Sequence, residues 1–269
     1  MTNQPRKTIV ANAPSQALLH ARRLCYRVVS LCLADPRTAQ RILLADADTA
    51  NLIRGATAFL RDEPRARNLE LARGERTLED FNSETLLARL PASLDNWNSQ
   101  FERVFGLLAV GACPPYETEY VPAKFTFQRS NALADIAGFY RAFGLQPSST
   151  SPDQPDHILL ELDFMALLIG LELAAAHEPR GTGANQRIAI CRDAQARFLG
   201  EHLAWWTPAF AALLTHEDSG GFYAAVGDFL AAFMAVERAL LQVDRPNCDT
   251  EPEPIEPPDV CSGCTLADL

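Results

Sequence analysis

Phe222-Tyr223-Ala224-Ala225-Val226-Gly227-Asp228-Phe229-Leu230-Ala231-Ala232-Phe233-Met234-Ala235-Val236-Glu237-Arg238-Ala239-Leu240-Leu241-Gln242-Val243 sets apolar side chains at 222, 226, 229, 233, 236, 240 and 243. The steps alternate between four and three. That spacing lays one apolar stripe along an α-helix and packs it on other helices. A strand would need strict alternation, and no stretch of this chain alternates long enough to require one.

Working back from this seam, the same period recurs. Gln186 to Trp206 reads as a helix, and Thr207-Pro208 as a restart with a threonine cap and proline at the first helical position. His157 to Ala176 reads as a long core helix between the loops 146–156 and 179–185. Ala132 to Phe143 is helical and closes on Gly144. Gly111-Ala112-Cys113-Pro114-Pro115 breaks the chain into halves, and Tyr116 to Phe127 is irregular and aromatic. Ser83–Leu90 and Ser93–Val110 each open on a serine cap. Residues 62–76 hold a charged loop, and Thr38 to about Leu60 makes one or two helices. In 15–33, Leu18, Ala21, Cys25, Val28 and Cys32 share a face, and Asp35-Pro36 ends the helix. The expected fold is all-α, a single globular bundle of about nine or ten helices over 1–245. Residues 246–269 read as an acidic, proline-rich flexible tail with too little apolar surface to fold.

Composition narrows the function. A net charge of −10 repels phosphate backbones, which argues against nucleic acid and favours cationic partners. The polar opening MTNQPRKTIVANAPSQ lacks an apolar signal core, and the seven cysteines are an odd, scattered set. Both point to a reduced, cytoplasmic protein. Arg22-Arg23 is followed by a short apolar run broken by Arg27, so the pair reads as surface arginines on the first helix rather than a leader. The most apolar stretch, 158–176, carries Glu161, Asp163 and Glu172, too many charges for stable membrane insertion.

Catalytic signatures are sparse. Asp156, His157 and Glu161 would suit a general acid–base cluster, but no nucleophile motif, HExxH pair, GxGxxG or phosphate loop accompanies them. The five histidines do not make a metal site by spacing. The plain alternative is that Asp156 caps the helix that follows. The expectation is therefore a non-enzyme without a cofactor. In the tail, Cys261-Ser262-Gly263-Cys264 with Cys248 upstream falls one thiolate short of a four-cysteine site. It leaves open a second reading, a metal- or redox-active accessory protein.

Three motifs in order carry a resemblance. They are Cys113-Pro114-Pro115-Tyr116-Glu117-Thr118-Glu119-Tyr120, then Ala134-Asp135-Ile136-Ala137-Gly138-Phe139-Tyr140-Arg141-Ala142-Phe143-Gly144-Leu145, then Pro155-Asp156-His157 running into Glu161-Leu162-Asp163-Phe164. Together with Phe198-Leu199, His202-Leu203, Trp206, Phe210 and Phe222-Tyr223, they make residues of about 95–245 resemble the TorD/DmsD/NarJ family of molybdoenzyme assembly chaperones. The resemblance implies an all-helical protein that binds the twin-arginine signal peptide and the apo form of a molybdopterin oxidoreductase subunit, as monomer or dimer. It places peptide binding at Pro155, Asp156 and His157 and at Tyr116, Glu117 and Tyr120. The chemistry of such a leader, two arginines beside an apolar helix-prone stretch, asks for carboxylates and an apolar groove. Glu117, Glu119, Asp156 and Glu161 are the candidate acceptors. Tyr116, Tyr120, Phe125 and Phe127 are candidate walls, with core packing as the alternative for the phenylalanines. Trp206 is expected in the core and Trp205 nearer the surface.

Overall fold

A computed structural model of the chain describes residues 15–37, 41–106, 111–121, 126–146, 154–178 and 183–246. Phe125, the side chain of Phe127, and the tail with Cys248, Cys261 and Cys264 lie outside the described residues. So do most of the loops expected at 146–156 and 179–185.

The element that dominates the core is the one whose seam decides the fold. α10 (Phe222–Leu241) is buried on nearly every side, including Glu237 and Arg238. It packs most closely on α9 (Ala204–Glu217) and also touches α1 (Gln16–Leu33). The two helices approach so tightly that a methyl group on Gly227 would meet the Ala211 carbonyl at 2.5 Å. α1 lies between α3 (Ala47–Asp62) and α7 (Ile158–Ala176), and α7 packs on α8 (Ala184–Phe198). α2 (Arg41–Ala45), α4 (Ser83–Ala88), α5 (Leu94–Phe105) and α6 (Thr126–Ala142) complete an all-α bundle. The described residues hold no strand, only an isolated bridge between Tyr116 and His157. None of the described helices is long and apolar enough to cross a membrane.

Local chemistry explains the boundaries. Ser15 caps α1, with its hydroxyl accepting from the Leu18 N–H at 3.2 Å. The expected face of α1 is buried at Leu18, Ala21, Cys25, Val28 and Cys32. Ser93 caps α5 as expected, but α4 is capped by Asn82 and not Ser83. α5 ends at Phe105, where Gly106 takes φ +76°, and the remainder of the expected helix, 107–110, lies outside the described residues. The restart expected at Thr207-Pro208 is absent. The chain stays helical from Ala184 to Glu217, through a π turn at Leu199–Leu203, and Pro208 sits inside α9.

The largest correction concerns Arg22. It is buried, not on the surface, and donates to Glu237 at 2.7 and 2.8 Å. The Tyr26 hydroxyl donates to the same carboxylate at 2.9 Å. This network ties α1 to α10. Arg238 likewise forks onto Glu75 at 2.5 and 2.6 Å, anchoring the loop before α4. Arg23, its neighbour, is exposed as expected.

Candidate functional site

The segments 115–120 and 154–161, apart in sequence, are joined by backbone. The Glu117 N–H donates to the Asp156 carbonyl at 3.0 Å, and the Ile158 N–H to the Pro115 carbonyl at 2.8 Å. Asp156 then fixes the pairing from the side. Its carboxylate accepts from the Thr118 N–H at 3.0 Å and the Thr118 hydroxyl at 2.7 Å. Asp156 therefore does not cap α7. His157 does, its Nδ1 accepting from the Leu159 N–H at 3.1 Å. The Tyr140 hydroxyl donates to the Pro155 carbonyl at 2.8 Å and ties α6 to the same joint. Residues Glu117–Tyr120 form one turn of 3-10 helix, held at its far end by the Tyr120 hydroxyl on the Pro114 carbonyl at 3.1 Å.

Behind the joint lies a buried polar cluster. Glu117 reaches the π turn and α9, accepting from Trp205 Nε1 at 2.9 Å and from His202 Nδ1 at 3.1 Å. Glu161, fully buried, accepts from Trp206 Nε1 at 3.2 Å. Burial, and then the neighbouring Glu117 carboxylate, hold the Glu161 carboxyl well above the usual range. Glu161 is therefore a proton-bearing acid, and its second oxygen, which meets no donor as a carboxylate, becomes a donor toward Glu117. Burial also pushes the Tyr120 and Tyr140 hydroxyls upward, so both remain neutral donors.

The four expected acceptors are thus brought together but differ in kind. Glu119 is exposed, whereas Glu117, Asp156 and Glu161 are buried, each with at least one carboxylate oxygen bonded inside the protein. Tyr116, Tyr120, Pro155 and His157 are half-buried and edge the joint. The Tyr116 and His157 rings meet edge to face at 5.0 Å. Trp206 is core, and Trp205 is half-buried. Beside Glu117 opens a cleft of 580 Å³ lined by Asn131, Ala134 and Asp135 of α6 and by Glu201 and His202 of the π turn. Asp135 and Glu201 were not singled out as acidic acceptors in the sequence. Asp135 and His202 each stood in a quoted motif, but spacing alone does not bring Asp135 and Glu201 alongside His202.

Residues 69–212, just over half of the chain, match the family model described as nitrate reductase delta subunit. The chain belongs to this family. The match begins earlier than the resemblance drawn from the motifs and includes both segments of the joint. Among relatives, the chain is 30% identical over 123 residues to the chaperone protein TorD of Aliivibrio salmonicida, covering 46% of this chain and 54% of that protein. It is 35% identical over 118 residues to the selenate reductase assembly chaperone protein of Thauera selenatis, covering 44% and 57%. It is 28% identical over 160 residues to the perchlorate reductase assembly chaperone protein of Dechloromonas aromatica, covering 58% and 67%. The first two matches span little more than half the length of those relatives. Family membership accords with the TorD-like resemblance and the all-helical fold.

Proposed function

We propose that this chain is a cytoplasmic assembly chaperone, without catalytic activity or a cofactor of its own, that captures the twin-arginine leader of a molybdopterin oxidoreductase subunit before export. The observation that carries the reading is the joint itself. Two motifs 38 residues apart, Glu117-Thr118 and Pro155-Asp156-His157, converge within a family whose relatives are named as reductase assembly chaperones.

The joint offers a leader two things. Tyr116, Tyr120, Pro155 and His157 present apolar edges with polar tips, suited to a chain that is part greasy and part charged. Glu119 at the joint, with the net charge of −10, attracts arginines. Glu117, Asp156 and Glu161 act from behind, holding the two segments in register rather than touching the peptide. Cationic steering of this kind is screened by salt.

Calorimetry with a synthetic peptide bearing two consecutive arginines before an apolar stretch tests the proposal. Saturable 1:1 binding is expected, weaker at about 500 mM than at about 50 mM salt. Glu119→Gln should lower affinity roughly 2- to 5-fold, the range of an exposed ion pair. Replacing both peptide arginines by lysine should also weaken it, because lysine lacks the planar fork. Absence of binding to any such peptide, or binding indifferent to the arginines, overturns the proposal.

A further inference from the structure

We propose that Asp135, Glu201 and His202 form a binding site for a divalent first-row transition-metal ion, set in the cleft beside the joint. The inference does not rest on peptide binding and has its own test.

His202 carries the argument. Its ring is 2% exposed, wedged between Phe139 and Phe198 with centroids at 5.6 and 5.0 Å. Nδ1 faces the Glu117 carboxylate at 3.1 Å, and a carboxylate can only accept, so Nδ1 bears the proton. In the neutral ring that leaves a lone pair on Nε2. Nε2 is buried and makes no hydrogen bond, in a residue that lines the cleft. Asp135 Oδ2 stands 3.4 Å from it and is also an acceptor. A buried ring nitrogen facing a carboxylate calls for a positive centre between them, either a second ring proton or a metal ion, and a third carboxylate alongside favours the ion.

The remaining donors are in place. One atom from each of Asp135, Glu201 and His202 lies within 4.8 Å of the others. Tetrahedral ligands at about 2.1 Å from a zinc ion stand roughly 3.4 Å apart, so closure asks for a shift of about 1 Å or slightly more. Asp135 and Glu201 are exposed and free to make it. His202 is already held by Glu117, the carboxylate–histidine arrangement that orients imidazole ligands and raises their basicity. Glu201 and His202 are neighbours in sequence, and the wider π turn at Leu199–Leu203 carries both into one cleft. One imidazole and two carboxylates suit zinc and its first-row neighbours better than soft copper(I) or magnesium. Arg197 is the internal competitor, donating to Glu201 at 3.2 and 3.4 Å.

The test is calorimetry with Zn²⁺ on the full chain in which Cys248, Cys261 and Cys264 are changed to serine, so that no tail thiolate takes the ion. One equivalent should bind. Asp135→Asn and Glu201→Gln should each weaken binding at least about 10-fold without altering the far-ultraviolet circular dichroism. Arg197→Gln should tighten it, since a carboxylate is released. No saturable binding below about 1 mM, or binding untouched by Asp135→Asn and Glu201→Gln, refutes the site.

Discussion

Replacing Asp156 by alanine should unfasten the joint before it unfolds the protein. Asp156 is fully buried, and its carboxylate takes two bonds from Thr118, at 3.0 and 2.7 Å. A hydrogen bond to a charged group contributes about 1.5–3 kcal/mol. Both bonds fall on the same oxygen, so their effects overlap, and the alanine variant also leaves the Thr118 N–H buried without an acceptor. A loss of about 3 kcal/mol follows. For a domain of this size, that is a fall of roughly 6–12 °C in Tm. Thr118→Val keeps the backbone bond and should cost about half as much. Two assays separate local from global effects. Urea unfolding followed by circular dichroism reads the total. Hydrogen exchange reads the Glu117 and Ile158 amides, whose partners are the Asp156 and Pro115 carbonyls. In Asp156→Ala those two amides should exchange faster by a larger factor than the amides of α10. Unchanged protection at Glu117 and Ile158 would show that Asp156 does not hold the segments together.

Two further outcomes follow from buried charge. Glu237→Gln removes the counter-charge of the buried Arg22 and should cost about 3–5 kcal/mol by urea unfolding, whereas joint replacement with Arg22→Met, Tyr26→Phe and Glu237→Met should recover most of the loss; a single variant costing under about 1 kcal/mol contradicts this. Glu161 titrates near 4.5 when unfolded but higher in the fold, so the folded chain holds the extra proton above that pH and stability falls as pH rises through the window. Glu161→Gln cannot ionise and should gain on the wild type as pH rises above the unfolded value of 4.5, with urea midpoints as the readout and parallel pH profiles as the contrary result.

The fold was legible where burial follows helical period. The stripe on α10 and the face of α1 are local patterns, and both are core. What local pattern could not supply is who lies opposite. Arg22 reads as a surface residue because arginines are rarely buried, and its partner Glu237 stands 215 residues away. Proline and threonine at 207–208 read as a restart, yet the helix passes through, with the Thr207 hydroxyl bonded back to the Leu203 carbonyl at 2.7 Å. Asp156 before an apolar helix fits a cap, but Thr118 offers it two donors and the cap passes to His157. The joint's residues were legible from their motifs. The split between exposed Glu119 and buried Glu117, Asp156 and Glu161 was not, since all four are simply acids in sequence. His202 with Asp135 was hidden because α6 and the π turn meet only in the folded chain.

The claim that most depends on this geometry is that a leader docks where 116–121 and 154–159 meet. A twin-arginine peptide carrying a photo-reactive group beside its arginines, cross-linked to the full chain and mapped by mass spectrometry, reads the docking place directly. The account predicts adducts on Tyr116–Val121 and on Gln154–Leu159, suppressed by excess unlabelled peptide. Suppressible adducts confined to distant surfaces, such as α3 or α4, would contradict it.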